Sequence, residues 1–139
     1  MDRISSAERS RNMARVPSRD TKPEIAVRSA LHRKGYRFRK NARGLPGTPD
    51  IVMPKYGVVI EVRGCFWHRH SAVHCKLSST PASNVEFWQS KFTRNVERDL
   101  ANAAKLRCLG WRVLTVWECA VRRDLPKVII RIESFLFKS

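Results

Sequence analysis

Two apolar runs parted by a turn do most to limit how this chain can fold. "DIVM" (50–53) and "VVIEVRG" (58–64) are short and rich in β-branched residues. The turn-forming "GLPGTPD" (44–50) precedes them and "YG" separates them, so they predict a hairpin of two strands. Period two puts Val59, Glu61 and Arg63 on one face, and Val58, Ile60 and Val62 on the other. Helical patterns stand on either side. In "TKPEIAVRSALHRKG", Thr21 and Glu24 read as a capping box with Pro23 in the first turn. Ile25, Ala26, Ser29, Ala30 and Leu31 supply an inner face, and Gly35 a stop. From Val85 to about Leu109 the pattern is again helical, with Val96, Leu100, Ala103 and Leu106 at helical spacing and Gly110 as terminator. "WRVLTVWE" (111–118) alternates as a third strand, with Trp111 and Trp117 on one face as core. Asp124 and Pro126 open a last helix, in which Val128, Ile129, Ile132, Phe135 and Leu136 face inward. The order helix, hairpin, helix, strand, helix predicts an α/β sandwich of three layers, a mixed sheet with helices on both faces.

A chain of 139 residues suits one compact domain. We read 21–139 as that domain and 1–20 as a basic arm carrying Arg9, Arg11, Arg15 and Arg19. A hydrophobic content of 42% excludes a disordered basic tail. No apolar run approaches the ~20 residues of a membrane span, and the N-terminus lacks the apolar centre of a secretory signal. The expectation is a cytoplasmic protein with no membrane partner. No apolar stripe or heptad advertises a dimer, so a monomer is expected. The net charge of +16 calls for a polyanion, and nucleic acid is the default because each neutralised phosphate releases counterions. A basic binder without chemistry is the plainer alternative.

Carboxylates argue for chemistry. Asp50 begins one strand and Glu61 lies inside the next, with Arg63 on the same face as Glu61. Two carboxylates converging across adjacent strands hold Mg²⁺ through hard oxygen ligands, and the metal polarises a phosphodiester and activates water. An ordinary surface ion pair between Glu61 and Arg63 is the bland competitor. Arg63 cannot be a general base because its guanidinium stays protonated. His68 is the candidate base, and Asp99, on the long helix, a candidate to orient it.

Gly64–Cys75, "GCFWHRHSAVHC", crowds two cysteines and three histidines into twelve residues. Cys65, His70 and Cys75, with a distant fourth ligand, suit a tetrahedral zinc site. Cys119 is a candidate for the fourth place, and His74 competes with His70. Cys108, in the apolar run "AAKLRCLG", reads instead as a buried free cysteine.

Taken together, "SRNMARVPSRDTKPE", "LPGTPDIV", "GCFWHRH", "EFWQSKFTRNVERD" and "LGWRVLTVWEC" resemble the very-short-patch-repair (Vsr) DNA mismatch endonucleases over roughly residues 9–121. The resemblance implies a restriction-endonuclease-like fold of the PD-(D/E)xK superfamily with a zinc-stapled loop. It implies a nick 5′ to the thymine of a T·G mismatch in duplex DNA, with Mg²⁺ for cleavage and structural Zn²⁺. A site-specific duplex endonuclease with no need of a mismatch, and a non-catalytic zinc-containing DNA-binding domain, are the alternatives. Mismatch-repair proteins are candidate partners. By motif, Asp50 matches the metal-binding aspartate, His68 the catalytic histidine, Asp99 its acidic partner and Glu24 the glutamate contacting metal-bound water. Glu61 and the Val62 backbone carbonyl would complete the Mg²⁺ ligands, and Cys65, His70, Cys75 and Cys119 the zinc set. Phe66, Trp67 and Trp88 would wedge into the base stack, and Arg9, Arg11, Arg15 and Arg19 would follow the DNA backbone. A mismatched step is easier to unstack, so such a wedge selects for it. The sequence departs from the family pattern at Glu61, where the well-known enzyme is apolar, and at Arg63, where it has a second histidine.

Overall fold

The computed structural model describes residues 21–65 and 84–138. The arginines of the N-terminal arm and Phe66, Trp67, His68, His70, His74 and Cys75 lie outside the described residues. The chain runs through helix α1 (Lys22–Arg33), strands β1 (Arg39–Lys40), β2 (Ile51–Met53) and β3 (Val58–Arg63), helix α2 (Val85–Cys108), strand β4 (Arg112–Trp117), and helices α3 (Glu118–Arg123) and α4 (Leu125–Leu136). The strands form one mixed sheet in the order β1-β2-β3-β4. The expected hairpin is present: β2 and β3 pair antiparallel, with Ile51 opposite Ile60 and Met53 opposite Val58. A 3-10 turn at Pro54–Tyr56 joins them and closes on Gly57 in the left-handed region, at φ 65°. β4 adds parallel to β3, from Val58 opposite Arg112 to Arg63 opposite Trp117.

The two faces of the sheet divide as period two requires. Val58, Ile60 and Val62 join Ile51, Met53, Leu114 and Val116 in the larger core, sealed by Val27 and Leu31 of α1 and by Val128, Ile129, Ile132 and Leu136 of α4. Val52 and Val59 face the other way and pack on Leu106 of α2. Helices therefore cover both faces.

Helix α1 corrects the expected inner face. Its buried stripe is Glu24, Val27, Arg28 and Leu31, while Ile25 is 47% exposed and Ser29 is also exposed. This stripe has regular helical spacing, but two of its four members are charged, which hid it from an apolar pattern. Thr21 does sit at the N-cap, yet its side chain makes no capping hydrogen bond. In α2 the buried residues are Trp88, Phe92, Ala103 and Leu106, and Leu100 is 67% exposed rather than inward. The position that packs instead is Asp99, a polar residue in an otherwise apolar stripe. Cys108, expected to be buried, is exposed at the last residue of α2. Strand β1 was not expected: both of its residues are charged and exposed, with nothing to announce a strand. Cys119 stands in the first turn of α3 and not at the end of β4.

Arg112 ties the end of the chain to the sheet. Its Nη1 donates to the carbonyls of Phe135 (2.7 Å) and Lys138 (2.9 Å), and its Nη2 to those of Leu136 (3.1 Å) and Tyr56 (3.3 Å). Phe135 and Leu136 belong to the last turn of α4, whose end carbonyls look outside the helix for partners, and a fixed cation there also meets the negative end of the helix. Lysine cannot reproduce a planar fork that reaches four acceptors. Arg112→Lys is expected to lower stability by on the order of 2–3 kcal/mol, read from the urea midpoint at unchanged slope.

Candidate active site

Asp50 lies at the mouth of β2, and the loop before it is held from two sides. On the β1 side, Asn41 N–H donates to the Asp50 carbonyl and Ala42 N–H to that of Pro49, each at 3.1 Å. On the α2 side the loop passes so close to Asn102 that a Cβ on Gly47 would stand 2.8 Å from its Nδ2. Gly47 also has φ +77°, so glycine is needed there for conformation and for space. Thr48 follows at φ 46°, an uncommon backbone for a β-branched residue, two positions before the carboxylate.

The β2–β3 register, carried one step beyond Ile51, sets Asp50 opposite Glu61. There the ladder is completed by a side chain: Val62 N–H donates to Asp50 Oδ2 at 2.7 Å. In a strand the N–H and C=O of one residue point to the same side, so the Val62 carbonyl opens into the same gap. Glu24 enters from the first turn of α1 and is only 3% exposed. Arg28, one turn on, brings its Nη1 to 3.6 Å from Glu24 Oε2. Burial, reinforced by the charges of Glu24 and Glu61, pushes the Asp50 carboxyl up from 3.8 to about 8, against the opposing pull of the Val62 hydrogen bond and of Arg28. Two neighbouring carboxylates thus raise the proton affinity of Asp50, and Arg28 offsets them in part.

On the α2 side, Arg63 Nε lies 3.9 Å from Asp99 Oδ2, and each side chain is 16% exposed. Both border a cavity of ≈ 30 Å³ with Glu61, Gly47, Asn102 and Ala103. That volume is about the share of one water molecule in the liquid. Asp99, expected to orient His68, thus has a cation from β3 beside it. The pairing is not visible in linear order, because 36 positions separate its members. The Glu24–Arg28 pair was readable as an i, i+4 couple.

Among the described residues, no group of three or more His, Cys, Asp or Glu side chains is drawn together to hold a metal ion. The expected Mg²⁺ set does not need one: it comprises Asp50, Glu61 and a main-chain carbonyl, all hard oxygen donors. Of the expected zinc ligands, Cys65 is fully buried and Cys119 N–H donates to its Sγ at 3.4 Å. The end of β3 and the start of α3 therefore meet at a cysteine pair. Trp88 corrects the expectation of an exposed wedge: it is buried, with its ring stacked on Phe92 at 5.8 Å between centroids. The neighbouring ring of Phe87 is the exposed one, at 42%.

The Asp50 carboxyl gives a signed pH dependence. Its folded pKa, about 8, stands above the unfolded value near 3.8. Metal-free protein therefore loses stability as pH rises through that interval, because the folded state holds the proton that the unfolded chain releases. In EDTA, Asp50→Asn is expected to be more stable than the parent at pH 8, with the difference shrinking toward pH 4; urea titrations across the range check this.

Comparison with known proteins identifies the family. The family model described as "DNA mismatch endonuclease Vsr" matches residues 1–75. The chain is 48% identical over 116 residues to the DNA mismatch endonuclease Vsr of Escherichia coli K12, covering 84% of this chain and 72% of that protein. It is 44% identical over 135 residues to the Type II nicking enzyme V.XorIIP of Xanthomonas oryzae pv. oryzae, covering 97% and 96%. It is 42% identical over 121 residues to the Type II nicking enzyme V.NmeAIP of Neisseria meningitidis, covering 87% and 84%. The chain belongs to the Vsr family of PD-(D/E)xK nucleases and is a DNA endonuclease.

Proposed function

We propose that this endonuclease nicks one strand of duplex DNA 5′ to the thymine of a T·G mismatch and uses Mg²⁺ to do so. The observation that carries the metal reading is the buried Asp50 carboxyl, opposite Glu61 in the β2–β3 register and bonded to Val62 N–H, with the charges of Glu24 and Glu61 within reach. The substrate reading rests on the relative named as a mismatch endonuclease and on the family resemblance.

Asp50, Glu61 and the Val62 carbonyl would hold the cation. Bound there, Mg²⁺ supplies electrophilic stabilisation of the phosphodiester and lowers the pKa of a coordinated water. Glu24, raised on α1, is placed to accept a hydrogen bond from such a water. The hydrogen bond from Val62 keeps one Asp50 oxygen fixed and leaves the other to face the gap. His68 takes the proton from the attacking water, with Asp99 holding its ring. Arg63, beside Asp99, sets a permanent cation near the phosphate on which charge develops. Glu61 and Arg63, each a departure from the family pattern, border one cavity. Their pairing at the site supports reading them as one change: an added metal ligand and a fixed positive charge in place of a titrating one.

Cys65 and Cys119, brought together by the fold, would bind Zn²⁺ with His70 and Cys75 and brace the loop that carries Phe66 and Trp67. Those two rings would supply the wedge, and Trp88 is instead packed on Phe92 within the fold. The basic arm at 1–20, with Arg9, Arg11, Arg15 and Arg19, would clasp the opposite groove.

A strand-specific nicking assay tests the reading. A labelled duplex carrying one T·G in several flanking contexts is compared with its T·A control, in Mg²⁺ and in EDTA. The expected result is a Mg²⁺-dependent nick in the T strand of the mismatch only, abolished in Asp50→Ala, with Glu61→Gln raising the Mg²⁺ concentration needed by ~10-fold or more. Equal cutting of the T·A control would replace mismatch repair with site-specific nicking. An unchanged Mg²⁺ requirement in Glu61→Gln would remove that residue from the metal site.

A further inference from the structure

Between Glu24 and Asp50 the chain carries no acidic residue and seven Lys or Arg. Folding turns part of this one-sign stretch into a concave surface. An open groove of ≈ 670 Å³ runs between α1 and β1, bordered by Arg28, Ser29, His32, Arg33, Phe38 and Lys40. Not every cation of the stretch is available to it, since Lys34 is neutralised by Glu133 at 2.8 Å. Arg33 is held over its own helix, its Nε donating to the Ser29 carbonyl at 3.3 Å. Lys40 comes from the opposite wall, the exposed edge strand.

The groove is continuous with the active site at two points. Lys40 pairs with Ile51, the residue after Asp50. Adjacent strands are ~4.8 Å apart, so the groove wall lies one strand from the catalytic carboxylate. Arg28 both borders the groove and reaches Glu24 at 3.6 Å. A run of cations on a convex surface is merely solvated. Here cations from two elements, Arg33 of α1 and Lys40 of β1, line one open pocket with the Phe38 ring and with Arg28, which reaches Glu24.

We propose that this α1–β1 groove seats the phosphodiester backbone of duplex DNA flanking the cut site, with Arg33 and Lys40 as its principal phosphate contacts. The inference rests on the endonuclease reading and adds to it a second backbone track, distinct from the N-terminal arm. Phosphate contacts position without reading sequence, so the groove contributes affinity equally on matched and mismatched duplexes. Each neutralised phosphate also releases counterions, which makes the contribution salt-dependent.

The test is the double variant Arg33→Gln/Lys40→Gln. Both side chains are exposed, so the fold is not at stake. A charge-matched control is Lys127→Gln/Arg131→Gln, on the solvent side of α4. Binding of fluorescent T·G and T·A duplexes is measured in EDTA between about 50 and 200 mM salt. The expected result is a plot of log affinity against log salt shallower by about 1–2 units, equal on both duplexes, with the control near the parent. A slope that changes no more than the control's would overturn the groove. A loss confined to the T·G duplex would overturn it as well, because it would mean base readout. Parent protein that cuts no duplex, alongside the expected slope change, would sink the mismatch-nicking reading and leave the groove standing.

Discussion

Where β2 ends, β3 still has an amide to satisfy, and a carboxylate answers it. Val62 N–H donates to Asp50 Oδ2 at 2.7 Å, so a carboxylate side chain occupies the place of the next main-chain partner. The arrangement fixes one oxygen of Asp50 in the plane of the sheet and aims the Val62 carbonyl into the same gap. It depends in turn on the loop at 44–50, pinned to β1 by main-chain hydrogen bonds and to α2 by the close approach of Gly47 to Asn102. The site is thus built from sheet geometry, and its precision is that of the ladder rather than of a free side chain.

A second constraint is electrostatic. The protein carries a net charge of +16, yet it buries Asp50 where the charges of Glu24 and Glu61 reach it. Such a cluster is costly unless protonated or occupied by a cation. Arg28 offsets part of that cost from one side. Arg63 and Asp99 form a separate pair on the other side, next to Glu61. The surrounding positive charge suits a polyanion, and the small acidic centre suits a divalent cation.

Much of this was legible in the sequence, and the failures have a common cause. The hairpin, its register and its two faces followed from β-branched alternation between turn residues, and α4 from its apolar stripe. Asp50 and Glu61 were identified from their places on those strands. The inner faces of α1 and α2 were misread where the site itself intrudes on the core. Glu24 and Arg28 take buried positions in α1, and Asp99 takes the packing position next to Leu100 in α2. Apolar periodicity cannot register a charged residue that faces inward. Strand β1 has only two residues, both charged, and is held by pairing with β2 rather than by its own composition. Trp88 was taken for an exposed wedge because a motif records residue type and not exposure; Phe92, one helical turn on, draws it inside.

The central claim is that the carboxylate gap is built for a divalent cation. Calorimetric titration of the DNA-free protein with Mg²⁺ or Mn²⁺ at pH 7, repeated in two buffers of different ionisation enthalpy, measures it most directly. Since Asp50 titrates at about 8, binding is predicted to expel about one proton. That release is predicted to vanish in Asp50→Asn and to diminish in Glu61→Gln. Binding without proton release, or release that persists in Asp50→Asn, would contradict the account.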